Sequence, residues 1–357
     1  MSTAHQHIPN ENREKGAHIL AIRLSAMGDV AMTVPVIRTF MAMYPNCRIT
    51  FLTRPFFAPM FKGIPNIEIY EADINGEHNG VMGLGRLARE LRNHEIEMVA
   101  DLHNVLRSNV LKSVFYFFGI PVKQIDKGRA DKKKLTREDH KVFKELKSTH
   151  QRYVDVFTAL GFPLDFNKHI FPEKQQIPSK IHEIVAHSSK KWLGIAPFAQ
   201  HSSKAYPADL MEEVLKKLNK QDNIQVFLFG GGKAEIKKLR SWEQQFENSI
   251  NVAGLLSFEE ELALISNLDA MLSMDSGNGH MAAMYGVPVI TIWGVTHPFA
   301  GFKPFQQPFE NSMIPDLEKF PKIPTSVYGN KYPEGYELAI RTISPVRVVK
   351  KINSVLN

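Results

Sequence analysis

One cysteine, Cys47, stands in 357 residues. That excludes an internal disulfide framework, fits a reducing compartment and leaves no cysteine-based zinc site. No Asp-x-Asp occurs anywhere, so the chain lacks the carboxylate pair that commonly clamps a metal-bound diphosphate. The opening MSTAHQHIPNENREKGA has no apolar signal-peptide core and reads as a polar tail over 1–17. Long apolar runs are missing too. Met281 to Phe302 is free of Asp, Glu, Lys and Arg, but Gly286, Pro288, Gly294, Pro298 and Gly301 break it into helix, strand and loop. VFYFFGIPV, from Val114, is too short to span a bilayer. There is no helix-turn-helix, finger or aromatic-basic RNA signature, which argues against a nucleic-acid partner.

What is present is a chain that is 43% hydrophobic and long enough for two full cores. The formal charge is +7, so anionic partners are favoured. Part of the excess is local: Lys123 to Arg152 holds eleven Lys or Arg against five Asp or Glu. This stretch reads either as a solvated face or as a platform for a phosphorylated partner.

The pattern is strand–helix alternation, given twice. HILAIRL is a strand and SAMGD a turn; Val30, Val34, Ile37, Met41 and Tyr44 then form a helical stripe, with Pro35 predicting a kink or a late start. RITFLTR, IEIYEAD and EMVADLH are further strands, with a helix near Gly83 to Asn93. The second half repeats this with WLGIAPF, IQVFLFG, DAMLSM and PVITIWG as strands. Ser257 with Glu260 forms a capping box, and Ser344 with Pro345 opens the last helix. The fold expected is α/β: two Rossmann-like, doubly wound domains facing across a cleft. The boundaries expected are 18–175, 176–342 and a C-terminal helix over 343–357, with a linker near Phe171 to Lys180.

Ligands of such sheets sit beyond the carboxyl ends of the strands. MDSGNGHMAAMYGVP ends a strand and begins a helix near Asn278, with Asp275 or Ser276 as a possible cap. Small residues at Ser276, Gly277 and Gly279 would let an anion reach the bare amides, and His280 would add a donor. FGGGKAE is not a P-loop, because Ala234 follows Lys233, yet Gly231 and Gly232 allow a ribose or phosphate contact. Lys204, in APFAQHSSKAYPADL, suits a diphosphate. Asp29, in RLSAMGDVAM, is either a helix-dipole partner or a general base.

With these residues in hand, the chain resembles the heptosyltransferases of glycosyltransferase family nine over roughly residues 18 to 357. SMDSGNGHMAAMYGVPVITIWGVTHP is similar to the family's D-[ST]-G-x-x-H-x-A-A segment and the G-x-T-x-P that follows. ILAIRLSAMGDVAMTVPVI, Lys204 before AYP, and DLHNVLRS match three further pieces in order. The resemblance implies a GT-B fold, inverting chemistry, no metal or cofactor, and ADP-heptose as donor to a lipopolysaccharide inner-core acceptor. It puts Asp29 at the general base, Lys204 at the donor phosphates, and Asp275, Ser276, Gly277 and His280 in the donor loop. Arg54, Lys62 and Arg107 are weaker candidates for the anionic acceptor. It also implies a cytoplasmic enzyme, held peripherally on the inner membrane through its lipid-linked substrate. The acidic residue some members use near the ribose would fall in GGKAE, where Glu235 comes late. The alternatives are a GT-B transferase for another nucleotide sugar, or a catalytically silent nucleotide-binding protein.

Overall fold

The computed structural model describes residues 16–185 and 189–357. Residues 1–15 of the expected tail lie outside the described residues. The chain divides into two compact units, 1–127 with 149–170, and 128–148 with 171–357.

The first unit is built on β1 (His18–Ile22), β2 (Arg48–Thr53), β3 (Ile67–Glu71), β4 (Met98–Asp101) and β5 (Val122–Gln124), all parallel in the order β3-β2-β1-β4-β5. Every residue of β1 and β4 is buried, as central strands covered on both faces require. The helix after β1 comes in two pieces, α1 (Met27–Ala31) and α2 (Thr33–Met43), broken at Met32. Pro35 explains the break: it offers no N–H to Ala31, four residues earlier. On the opposite face lie α3 (Gly80–Arg92) and α4 (Leu106–Phe117), side by side. Leu84, Leu87, Ala88 and Leu91, at helical spacing, bury into one core with Leu111 and Phe115.

The second unit begins with α5 (Arg129–Thr136), a segment inserted before α6 (Thr149–Ala159) returns to the first unit. After α7 (Ser179–Val185) come β6 (Lys191–Ala196), α8 (Ala208–Leu218), β7 (Ile224–Leu228), α9 (Gly232–Gln245), β8 (Ser249–Asn251), α10 (Phe258–Ser266) and β9 (Ala270–Met274). Then follow α11 (Gly277–Met284), β10 (Val289–Ile292), β11 (Ser312–Met313) and α12 (Pro345–Leu356). The six strands are parallel in the order β11-β10-β9-β6-β7-β8. The expected capping box is formed: Ser257 Oγ accepts Glu260 N, and Glu260 Oε2 accepts Ser257 N at 2.7 Å.

Three boundaries differ from the sequence reading. Residues 128–148, expected with the first half, pack on the second unit: Leu146 N donates to Phe299 O, and Lys141 Nζ donates to Pro324 O. The expected linker near Phe171 to Lys180 is packed structure, with Gln175 N donating to Ser266 Oγ and Asn267 Nδ2 to Gln175 O. The terminal helix α12 is no separate piece; Val348, Ile352 and Leu356 enter the same core as Met211 and Leu215 of α8.

Candidate active site

In each sheet the strand order reverses once, between β1 and β4 in the first unit and between β6 and β9 in the second. The connections leaving those strands diverge there and open a crevice at the carboxyl edge. Asp29 and Arg107 in the first unit, and Lys204 with Asp275 to His280 in the second, sit at these two points; Arg54, Lys62, Gly231 and Gly232 follow neighbouring strands.

In the first unit the turn after β1 carries Asp29 into α1. Its Oδ2 lies 2.6 Å from Arg23 Nη2 and 3.4 Å from Ala26 N. Arg23 is buried, donates from Nη1 to Leu102 O, and lies over the Tyr153 ring. Tyr153 in turn donates to Asp29 O at 3.3 Å. Asp29 is thus fixed from below by a cation that stays charged at any working pH, while its side chain remains 30% exposed. Its Oδ1 has no hydrogen bond among the described residues, which leaves one oxygen to take a proton.

The loop after β4 stands beside this turn. Asp101, fully buried, accepts His103 N and Asn104 N on Oδ1 and Ser108 Oγ on Oδ2. That network turns the chain so that His103 Nε2 comes within 3.4 Å of Ser25 Oγ. Burial, and then the charge of Arg23, push the His103 imidazole down to about 3, so it is neutral at pH 7. Arg54 follows β2 and Arg107 opens α4, both at the same sheet edge. Lys62 stands past the 3-10 segment Pro55–Phe61, where its carbonyl accepts from Arg38.

In the second unit the turn after β9 reaches α11 through Asp275 and Ser276. Neither side chain caps the helix, contrary to the sequence expectation. Ser276 holds the cap position, but its enclosed Oγ bonds to nothing among the described residues. Asp275 points elsewhere: its Oδ2 takes Lys204 Nζ at 3.0 Å and Thr296 Oγ1 at 2.9 Å. The first-turn amides of α11 are therefore unclaimed by any capping side chain, which is the arrangement that receives an anion. His280 is buried within this helix.

The glycines divide by role. A Cβ on Gly279 would meet Ser273 Oγ at 2.5 Å, so Gly279 serves the packing of α11 on β9, not the approach of a ligand. A Cβ on Gly231 or Gly232 would meet nothing, and Gly232 has a φ of +77°. Gly231 N is already taken by Glu235 Oε2 at 2.8 Å. A carboxylate there repels phosphate and suits hydroxyl donors, which removes phosphate from the two contacts expected at Gly231 and Gly232. Lys204 is held by close backbone fit. A Cβ on Gly294 would stand 1.8 Å from Ser203 O, and one on Gly329 would stand 2.6 Å from Lys204 Cγ. Ser203 Oγ also donates to Gly329 O.

Arg23, His103 and Thr296 were not singled out from sequence. Arg23 and Asp29 flank one βα turn with opposite charges, and His103 follows a strand end next to it in the sheet; the order β1-β4 is what joins them. The basic stretch from Lys123 to Arg152 does not belong to one unit. It is shared between the units, Lys141 is half-buried on carbonyls, and Arg152 lies against Asp126. Among the described residues no helix is long and apolar enough to cross a membrane.

Two doubly wound parallel sheets, each with a polar crevice at its switch point, are the fold class of the GT-B glycosyltransferases. The chain belongs to glycosyltransferase family 9 (heptosyltransferase), whose model matches residues 84–325. It is similar to lipopolysaccharide heptosyltransferase 2 of Escherichia coli, at 25% identity covering 95% of this chain and 98% of that protein. A family 9 glycosyl transferase from Veillonella parvula has the same fold, with a TM-score of 0.73 at 19% identity over 95% of this chain and 97% of that one. The E. coli structure described as ADP-heptose lps heptosyltransferase II matches with a TM-score of 0.67 at 20% identity, over 95% and 98%.

Proposed function

We propose that the protein is an inverting, metal-independent heptosyltransferase that moves heptose from ADP-heptose to a lipopolysaccharide inner-core acceptor. The observation that carries the reading is the uncapped start of α11 beside Lys204 at the switch point of the second sheet. Amides, one lysine and His280 there suit the diphosphate of a nucleotide sugar. Asp275 already has its charge paired by Lys204 and its Oδ2 hydrogen-bonded by Thr296, so a divalent cation there would compete with a fixed lysine.

Asp29 is the proposed base. Its free Oδ1 takes the proton of the acceptor hydroxyl as that oxygen attacks the anomeric carbon from the face opposite the leaving ADP. The C1–oxygen bond to the diphosphate breaks, and the charge goes to Lys204, His280 and the amides of Ser276 and Gly277. Arg23 holds the base in place. Glu235, at Gly231 and Gly232, suits the ribose hydroxyls. Arg54, Lys62 and Arg107 are proposed for the anionic acceptor. The lipid-linked acceptor favours work at the cytoplasmic face of the inner membrane.

The test is a thermal-shift series with ADP-heptose, UDP-sugars and GDP-sugars, followed by product mass on core-truncated acceptors. A donor at 100 times its Kd should add roughly 2.7 kcal/mol of stability. A shift with ADP-heptose and a heptose mass increment on the acceptor are expected. A shift with a UDP- or GDP-sugar alone would replace the donor, and binding with no product under any acceptor would return the protein to a silent nucleotide binder. Activity should survive EDTA; loss restored by Mg²⁺ or Mn²⁺ would overturn the metal-free reading.

A further inference from the structure

The solvent side of the first unit's α3–α4 layer is apolar where a soluble surface is expected to be polar. Met82 is 91% exposed, Phe117 83% and Tyr116 77%. These are not scattered. On α3, Met82, Arg86 and Arg89 fall on the side opposite the buried Leu84, Leu87 and Leu91. On α4, Phe117 stands opposite the buried Leu111 and Phe115. The two helices pack side by side, so their outer faces form one surface.

Its charge is one-sided. The two helices carry Arg86, Arg89, Arg92, Arg107 and Lys112 against a single acid, Glu90. Lys112 is paired with the buried Asp101, and Glu90, whose Oε2 takes Tyr70 Oη at 2.8 Å and His78 Nε2 at 3.1 Å, also feels the Arg86 charge, so the excess on this face lies with the arginines. Neither Arg86 nor Arg89 has an ion pair among the described residues. Arg92 lies flat over the Phe118 ring at 3.5 Å, which leaves the guanidinium edge to other partners. Exposed aromatics at a polar–apolar boundary, with guanidinium groups in excess of acids, match the headgroup region of an anionic bilayer. A protein partner would more commonly present acids or hydrogen-bonding edges to such arginines.

We propose that the α3–α4 face is the membrane-docking surface of this protein, with Arg86, Arg89 and Arg92 on lipid phosphates and Tyr116, Phe117 and Met82 in the interfacial layer. This deepens the proposed membrane attachment and rests on that reading. The lysines of the basic stretch 123–152 serve as the comparison.

The full chain would be co-sedimented with phosphatidylcholine vesicles, with and without phosphatidylglycerol, across a salt series. Binding is expected only with the anionic lipid and should fall as salt rises. R86E/R89E should weaken it at least about tenfold, and Y116S/F117S should abolish the part that survives high salt. K132E/K133E/K134E should bind like the parent. The face variants should keep the parent's melting temperature and its turnover of a deacylated, water-soluble acceptor. A parent that ignores anionic vesicles, or loss confined to the lysine variant, overturns the proposal. So does a dimer in solution that Y116S/F117S dissolves in the absence of lipid. Vesicle binding through this face with no heptose transfer by the parent would leave the docking standing and remove the function reading alone.

Discussion

Both sheets carry a cation–carboxylate pair where their strand order reverses, and the two pairs differ in how far the acid is exposed. In the first unit the cation is the buried partner: Arg23 is 7% exposed at its side chain, Asp29 30%. In the second both partners are enclosed, Lys204 at 13% and Asp275 at 10%, and one carboxylate oxygen, Oδ2, takes both Lys204 and Thr296. The difference follows from what each side chain can satisfy. A guanidinium has donors enough to serve Leu102 O and Asp29 together, so it can be buried and leave the acid an open oxygen. The Lys204–Asp275 pair is compensated in charge, so the positive potential beside it comes from the uncapped helix start. One βα geometry is therefore proposed to serve as a proton acceptor in one unit and an anion receptor in the other.

The largest expected break of this contrast is at Asp29. Asp29→Asn should keep the fold and ADP affinity and lose turnover by roughly 10²–10⁴-fold. Single-turnover rates with calorimetry on ADP check it; near-parental turnover would make Asp29 only a helix-dipole partner.

Lys204→Ala attacks the other pair. It strands Asp275, so stability should fall by roughly 3 kcal/mol together with ADP affinity. Lys204→Ala with Asp275→Asn should restore much of the stability and none of the affinity. Urea melts and ADP titrations separate the two effects, and recovery of both would mean that the pair is structural.

His103 sharpens the comparison through pH. Its pKa is lowered from 6.5 to about 3 in the folded chain by burial. Between those values the unfolded chain binds the proton and the folded one does not. This contribution is therefore fully present above pH 6.5 and is lost as pH falls toward 3, by up to about 1.4 kcal/mol per pH unit. His103→Gln should flatten the acid limb of the stability curve by that slope, and an unchanged limb would place the titration elsewhere. His169 and His297, both lowered to about 4 by burial, add to the parent's acid limb in the same sense and remain in the variant.

The smallest expected effect is at α11. His280→Ala should weaken ADP by about 1–2 kcal/mol, one charge-assisted hydrogen bond, and leave adenosine nearly unchanged. Ser276→Ala should cost less, because the backbone N–H remains. Equal losses for ADP and adenosine would remove the diphosphate from this helix.

Much of this was legible in the sequence because periodicity reports burial. The stripe Val30, Val34, Ile37 and Met41 is buried as its spacing predicts, and the break near Pro35 lies where the missing N–H puts it. β5, β8 and β11 were not legible: they have three, three and two residues, too few for an alternation to register. The site was legible in its loops and not in its pairings. Arg23 with Asp29 is set by a local turn, but Asp275 with Lys204 and Thr296 joins residues from three separate connections, which only the order β10-β9-β6 brings together. The caps at Ser257 and Ser344 formed as their residues predict; at α11 neither Ser276 nor Asp275 caps, because tertiary partners redirected the aspartate.

The segment 128–148 has a consequence for how the protein is made. Lys141 is separated from its acceptor Pro324 O by 183 residues. At ribosomal rates of 5–20 residues per second, on the order of ten to forty seconds pass between the emergence of the two. The first unit can close once α6 and residues to 170 are out, with Tyr153 on Asp29 and Thr39 on His169. During that interval the inserted loop, with Phe143 and Leu135 bare, is extruded from a finished domain while it waits for its own. The nascent chain thus passes through a stage in which a folded unit carries a basic, apolar-bearing loop, and that loop is where chaperone binding and proteolytic nicking during synthesis are expected to concentrate.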